Sequence, residues 1–147
     1  MEFSFKVKSQ LQRERKLYFI DNGFIGLLNP RIQLKEGRLL ENCVFYHLKR
    51  KYKYADIYYM RAEKGEEVDF VLIDSFDDEG KKMVQVSYNL DLVSTREREI
   101  RALVKVGKKL GLHNGDIITF DMEGEEEATW FGHSLCLKMI PAWTFFL

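Results

Sequence analysis

Residues 66–88, EEVDFVLIDSFDDEGKKMVQVSY, hold two apolar runs joined by a polar, turn-rich insert, and they constrain the fold more than any other stretch. Alternation with period two marks each run as a strand. In the first run Val68, Phe70 and Leu72 fall on one face, while Asp69 shares the other with Val71 and Ile73. A carboxylate therefore stands on an otherwise apolar face. In the second run Met83, Gln85 and Ser87 share one face and Val84, Val86 and Tyr88 the other. The insert Ser75-Phe76-Asp77-Asp78-Glu79-Gly80 has hairpin length, so the two strands are expected side by side with Asp69 next to Gln85. Oxygen-bearing groups on neighbouring strands are the geometry of a divalent-metal site built on a sheet. The alternative for Asp69 is a buried acid paired with a core cation or with backbone.

The chain has 147 residues, enough to bury one core, so a single domain over 1–147 is expected. Residues 1–35 form its leading strands and turn, and 36–147 its main body. Lys plus Arg equals Asp plus Glu at 23 each, so no global field draws the protein to nucleic acid or an anionic membrane. Any such binding must come from a local patch. No apolar run has transmembrane length, and MEFSFKVKSQ lacks the apolar core of a signal peptide. Cys43 and Cys136 have neither metal spacing nor a disulfide pattern, which fits a reducing cytoplasm and small core residues.

Residues 2–8 alternate Phe3, Phe5 and Val7 with polar side chains and read as a short strand. A polar stretch leads into Lys16-Leu17-Tyr18-Phe19-Ile20, a second strand candidate, which Asp21-Asn22-Gly23 stops with ordinary turn chemistry. Residues 24–28 suit a helical turn. Over 36–52 the spacing becomes helical, with Leu40, Val44 and Leu48 on one stripe and Leu39, Cys43 and Tyr46 beside it. Glu41 stands one position from the stripe, so its carboxylate looks partly inward. Lys49-Arg50-Lys51 closes the helix, where cations suit the dipole; the cluster is a solvated end or a phosphate-binding patch.

Residues 56–62 read as a third strand, turned by Lys64-Gly65-Glu66 into the Asp69 run. Ser94-Thr95-Arg96-Glu97 forms a capping box for a second helix. One face of it carries Ile100, Leu103, Val104, Gly107 and Leu110; the other carries Arg96, Arg98, Arg101, Lys105, Lys108 and Lys109. Gly111 stops it. Asn114-Gly115 turns into a strand at 117–120, the acidic run 123–127 reads as a solvated loop, and 134–140 is a final strand. The aromatic C-terminus, 141–147, needs something to pack on. His47, His113 and His133 lack ligand spacing, and Tyr58, Tyr59, Trp130 and Trp143 read as core packing rather than base-stacking platforms.

The order is two strands, a helix bearing an acid, three strands bearing an acid and a polar-x-polar pair, a basic-faced helix and two strands. It resembles the restriction-endonuclease-like fold of the PD-(D/E)XK nuclease superfamily, an α/β fold with a mixed central sheet flanked by helices. More closely, the chain resembles the DUF4143 family, the C-terminal domain of archaeal and bacterial AAA-type ATPases. The residues that carry this are KLYFIDNGF at 16–24, GRLLEN at 37–42, EVDFVL at 67–72, VQVSYNL at 84–90, TREREIRAL from 95, IIT at 117–119 and the closing IPAW.

The resemblance implies roles by position. Glu41 is the helix acid, Asp69 the strand acid, Gln85 the second strand position and Ser87 the lysine position. In an active enzyme of this kind Mg²⁺ is held by two carboxylates, and a lysine offsets charge at the attacked phosphate. Gln85 keeps an oxygen ligand, so Glu41, Asp69 and Gln85 are the candidate metal ligands. Ser87 keeps no charge, so the catalytic set is incomplete unless Arg98, Arg101 or Lys105 supplies a migrated cation. Arg98, Arg101, Lys105, Lys49 and Arg50 are the candidate nucleic-acid contacts. The resemblance also implies an ATPase partner domain, since no G-x-x-x-x-G-K-S/T phosphate loop and hence no ATP site is present in this chain. The expected function is a catalytically degenerate, nuclease-like accessory domain that binds DNA or a protein partner. The alternatives are an active Mg²⁺-dependent DNA nuclease and a purely structural or regulatory interaction module.

Overall fold

A computed structural model describes residues 1–2, 14–24, 35–62, 65–74 and 80–147. Helix α1 spans Glu36–Lys51, followed by strands β1 (Asp56–Arg61), β2 (Glu67–Ile73) and β3 (Lys81–Val86). Helix α2 (Val93–Leu110) leads to β4 (Asn114–Thr119), β5 (Gly124–Trp130), β6 (His133–Pro141) and the short helix α3 (Ala142–Phe145). The strands form one mixed sheet in the order β1-β2-β3-β4-β6-β5. β1, β2 and β3 are antiparallel neighbours, β3, β4 and β6 run parallel, and β5 closes the far edge antiparallel to β6. The β3-to-β4 step is parallel and so requires a crossover, which α2 supplies.

One helix covers each face. Leu40, Val44 and Leu48 of α1 pack on Phe70, Leu72, Val84 and Ile118, whereas Leu103, Val104 and Leu110 of α2 pack on Val71, Met83, Ile117, Leu135 and Leu137. Adjacent residues such as Met83 and Val84 thus serve opposite cores, as a period-two strand buried on both faces requires. Leu103 has no exposed surface, and truncating such a side chain to alanine costs about 2–5 kcal/mol. Gly107 lets α2 approach closely, since a Cβ there would lie 3.1 Å from the Leu112 carbonyl and 3.2 Å from Met83 and Leu135. Gly111 ends α2 in the left-handed conformation, φ 71°.

The two expected helices, the hairpin and most strands are present, with Ile73 paired to Lys81 and Asp74 N–H donating to the Gly80 carbonyl at 2.8 Å. Several expectations are corrected. Residues 16–20 are not a strand; the Asn42 side chain takes their backbone groups, accepting from Phe19 N–H at 2.8 Å and donating to the Phe19 carbonyl at 2.7 Å. The 2–8 strand lies largely outside the described residues; Glu2 alone makes a parallel bridge, to Tyr59. Asn22 to Phe24 form a helical turn, and 25–28 lie outside the described residues. No capping box forms, because α2 starts at Val93 with Leu92 as its cap. Asn114 and Gly115 belong to β4 itself.

The acidic run is not a loop. It lies in β5, with Glu125 and Glu127 exposed and Glu126, Ala128 and Trp130 turned inward, where Arg96 pairs with Glu126. Outward carboxylates on an edge strand also discourage pairing with another chain. Strict alternation fails in β2: pairing with β1 shifts by one residue, and Val68 joins Val71 in the α2-side core while Phe70 and Leu72 face α1. Cys43 and Cys136 are exposed rather than core residues. Among the described residues no helix is long and apolar enough to cross a membrane.

Candidate functional site

The site lies where β2 begins and β3 ends. Phe70 and Val84 are the last backbone-paired residues there, and beyond them side chains replace the ladder. Asp69 N–H donates to Gln85 Oε1 at 3.1 Å, and Val86 N–H donates to Asp69 Oδ2 at 3.1 Å. The strands therefore part with both of these backbone donors satisfied, and Asp69 Oδ1 is left to meet Lys16. Gln85 Nε2 donates to Glu99 Oε2 at 2.6 Å, so both ends of this amide are engaged.

From α1, Glu41 reaches the same point, and the two acids meet on a residue from the leading segment. Lys16 Nζ lies 2.9 Å from Glu41 Oε1, 2.6 Å from Glu67 Oε1 and 2.9 Å from Asp69 Oδ1. The Tyr18 hydroxyl donates to the same Glu41 oxygen at 2.8 Å, and its ring stacks on Phe45 at 4.1 Å. Tyr59 lies beneath the ammonium, 5.4 Å from ring centre to Nζ. Asn42, buried on α1, clamps the segment by bonding Phe19 on both sides and Asn22 Oδ1 at 2.9 Å. A groove of about 450 Å³ opens over these groups, lined also by Leu17 and Arg38.

Burial pushes the Asp69 carboxyl up to about 7, against the attraction of Lys16, with Glu41 adding to the rise. For Lys16, burial opposes the charge, but Asp69, Glu41 and Glu67 together outweigh it and its pKa is raised, so it stays an ammonium. Burial, then Glu41, raises the Tyr18 hydroxyl and keeps it a donor. Of the two readings open for Asp69, the observed pairing is the one with a core cation and with backbone. The donor set does not fit Mg²⁺ as it stands. The ammonium fills the point where Glu41, Glu67 and Asp69 converge, and Gln85 is engaged elsewhere.

Glu41, Asp69 and Gln85 are thus brought together, and Ser87 is not. Its hydroxyl donates to the Asn89 carbonyl at 3.2 Å. Among the described residues, none of the α2 cations that could have replaced the lysine is ion-paired with Glu41 or Asp69. Arg98 pairs with Glu99, while Arg101 and Lys105 pair with Glu66. Of the candidate nucleic-acid contacts, those three are therefore occupied by the domain's own acids, whereas Lys49 and Arg50 stand exposed at the end of α1. Lys16 and Glu67 were missed by sequence reasoning. The signal was available: in an extended segment Lys16 and Tyr18, two positions apart, face the same way.

Elsewhere, Tyr59 is buried and Trp130 packs on the α2-side core, but Trp143 is 64% exposed, against expectation. Phe145 and Phe146 pack on His47 at 4.7 and 5.4 Å. The fold brings the His113 and His133 rings to 4.8 Å, although 20 residues of chain separate them.

A family profile described as a domain of unknown function (DUF4143) matches residues 36–138. An uncharacterized protein of Methanocaldococcus jannaschii is 34% identical over 146 residues, an alignment that covers 95% of this chain and 31% of that protein. The chain spans about a third of the length of this relative.

Proposed function

The chain belongs to the DUF4143 family, and on that footing we propose that it is a restriction-endonuclease-like accessory domain, catalytically degenerate, that binds nucleic acid or a protein partner within an AAA-type ATPase system. The observation that carries the degenerate reading is the state of Gln85 and Ser87. One has its amide engaged by Asp69 and Glu99, and the other is a neutral hydroxyl bonded to Asn89. Neither can offset charge developing on a phosphate. Support for the fold comes from the mixed sheet with a helix on each face and from Glu41 and Asp69 meeting at one end of it. The ATPase comes from the resemblance alone, and the relative's unmatched two-thirds leave room for one.

A second reading, the active Mg²⁺-dependent DNA nuclease, draws on one observation: Lys16 puts an ammonium 2.9 Å from Asp69, so the charge missing at Ser87 is present in space. When bound, Mg²⁺ would supply Lewis-acid chemistry there. Incubation of the protein with linear and branched DNA in Mg²⁺ or Mn²⁺ separates the two. Degeneracy predicts intact DNA, with binding that weakens as salt rises and is reduced by Lys49→Gln and Arg50→Gln together. Cleavage that disappears in Asp69→Asn would establish the active enzyme instead. DNA neither bound nor cut would favour the protein-interaction module, to which the exposed Tyr88 and Phe120 stack at 4.8 Å and Trp143 lend apolar surface.

A further inference from the structure

We infer that Lys16 is a built-in cation standing where a divalent ion would otherwise sit among Glu41, Glu67 and Asp69, so that the leading segment and a metal compete for the same carboxylates. The inference rests on the nuclease-like reading only for the expectation that a metal belongs here; the geometry stands without it.

An ammonium has three N–H donors. At Lys16 each finds a carboxylate oxygen on a different residue, at 2.9, 2.6 and 2.9 Å. The Tyr59 ring covers another side, where an aromatic face attracts a cation. The cage therefore satisfies a monovalent cation fully. Two of its walls are fixed by the body of the domain, Asp69 by Val86 N–H and Glu67 by Arg61 at 3.5 Å, while Glu41 is held by the Tyr18 hydroxyl of the leading segment itself. The segment bearing Lys16 is fixed by the Asn42 clamp on Phe19.

The charges make the cage a cation site rather than a neutral ion pair. Glu41, Glu67 and Asp69 bring up to three negative charges, the Asp69 one opposed by burial; Lys16 returns one, and the half-exposed Arg61, paired with Glu14 at 2.6 Å, touches only Glu67 of the three. Part-buried carboxylates in excess demand a positive partner. Mg²⁺ and Ca²⁺ bind such oxygens at about 2.0–2.6 Å. Neither can enter while an ammonium stands within hydrogen-bond distance of the same atoms, because the two cations would be in repulsive contact. Loading with metal thus requires Lys16 to leave, and occupancy by Lys16 keeps the site without metal.

Titration of Mn²⁺ into the full chain, followed by the electron paramagnetic resonance signal of free Mn²⁺ and by thermal unfolding, tests this. Wild type is expected to take up no Mn²⁺ at the site, with a Tm shift below about 1 °C at millimolar metal. Lys16→Met is expected to bind one Mn²⁺ and to gain several degrees in a saturable manner. Lys16→Met combined with Asp69→Asn is expected to lose that response. If Lys16→Met fails to fold alone, Lys16→Gln takes its place in both arms. Saturable Mn²⁺ binding by wild type within about threefold of the Lys16 variant overturns the inference, because Lys16 then swings aside freely. A folded Lys16 variant with no Mn²⁺ response also overturns it. The DNA assay fails independently: wild type that ignores Mn²⁺ but cuts DNA refutes degeneracy and leaves Lys16 in place, whereas wild type that binds Mn²⁺ without cutting does the reverse.

Discussion

Each end of the sheet holds one charge among charges of the opposite sign, and the two resolve the conflict in opposite ways. Where β2 begins, Lys16 touches Glu41, Glu67 and Asp69 at 2.6–2.9 Å, and these contacts outweigh the burial that opposes its charge. Where β3 and β4 begin, Asp116 stands in the field of Lys82, Lys138 and Lys51, yet burial prevails and its carboxyl is raised above the usual range. The ratio of opposite charges is the same. Coulomb attraction rises steeply at contact in a poorly solvated place and is screened at exposed lysine tips, such as that of Lys138 at 60% exposure. Contact in a cage makes a site, whereas a surrounding patch of like sign does not.

The largest effect should come from breaking the cage. Lys16→Met leaves three part-buried carboxylates without their shared partner, and removing one member of a buried ion network costs about 3–5 kcal/mol. Urea unfolding at pH 7, followed by circular dichroism, measures the loss. A cost below about 1 kcal/mol would reduce the cage to an ordinary surface pair and erase the contrast between the ends.

The pH dependence of stability comes next. Asp69 titrates near 7 when folded against 3.8 in the unfolded chain, so the folded state holds this proton more tightly. Its stabilising share is full below about 3.8 and is lost as pH rises through about 7. The raised Lys16 value works at the other limit: its share is intact at and below 10.5 and is lost only as pH climbs beyond that. Urea midpoints at pH 5 and 7.5 should therefore differ more in wild type than in Asp69→Asn. Equal pH dependence in the two proteins would mean that contact, not burial, governs Asp69 as well.

A smaller loss, about 2 kcal/mol, is expected from Asn42→Ala, which removes the bonds to both sides of Phe19 and to Asn22. Because the clamp holds the segment that delivers Lys16, its cost should not add to that of Lys16→Met. A double-mutant cycle by urea unfolding is expected to give a coupling of about 1 kcal/mol, and strict additivity would separate clamp from cage.

These effects also mark where the sequence was legible. Periodicity exposed both helices, the hairpin and the apolar faces, because apolar spacing and packing follow the same repeats. Glu41, Asp69 and Gln85 were legible as a convergent group because one lies beside a helix stripe and two on paired strands. Lys16 was not, since its position depends on a tertiary clamp: Asn42 replaces the strand partner that residues 16–20 would otherwise need. β5 escaped notice because its alternation is written in glutamates, and a run of like charge reads as solvated until Arg96 neutralises the inward one. Val68 fell on the unexpected face because a register shift against β1 breaks the period, which no single strand's sequence reveals.

The smallest effects belong to the Asp116 end, and they are the sharpest check on the comparison. If burial rules there, ionised Asp116 is a liability at pH 7, and Asp116→Asn should leave stability unchanged or raise it by up to about 1 kcal/mol. Lys138→Gln removes an exposed cation that acts on Asp116 only through its field, and should change stability by no more than about 0.5 kcal/mol. Both are read from urea midpoints at pH 7 in low and high salt. High salt should blunt the small Lys138 effect and leave most of the Lys16 effect, because screening reaches exposed charges before buried ones. A Lys138 variant as damaging as Lys16→Met, and as resistant to salt, would show that the lysines grip Asp116 by contact, and the two ends would then follow one rule.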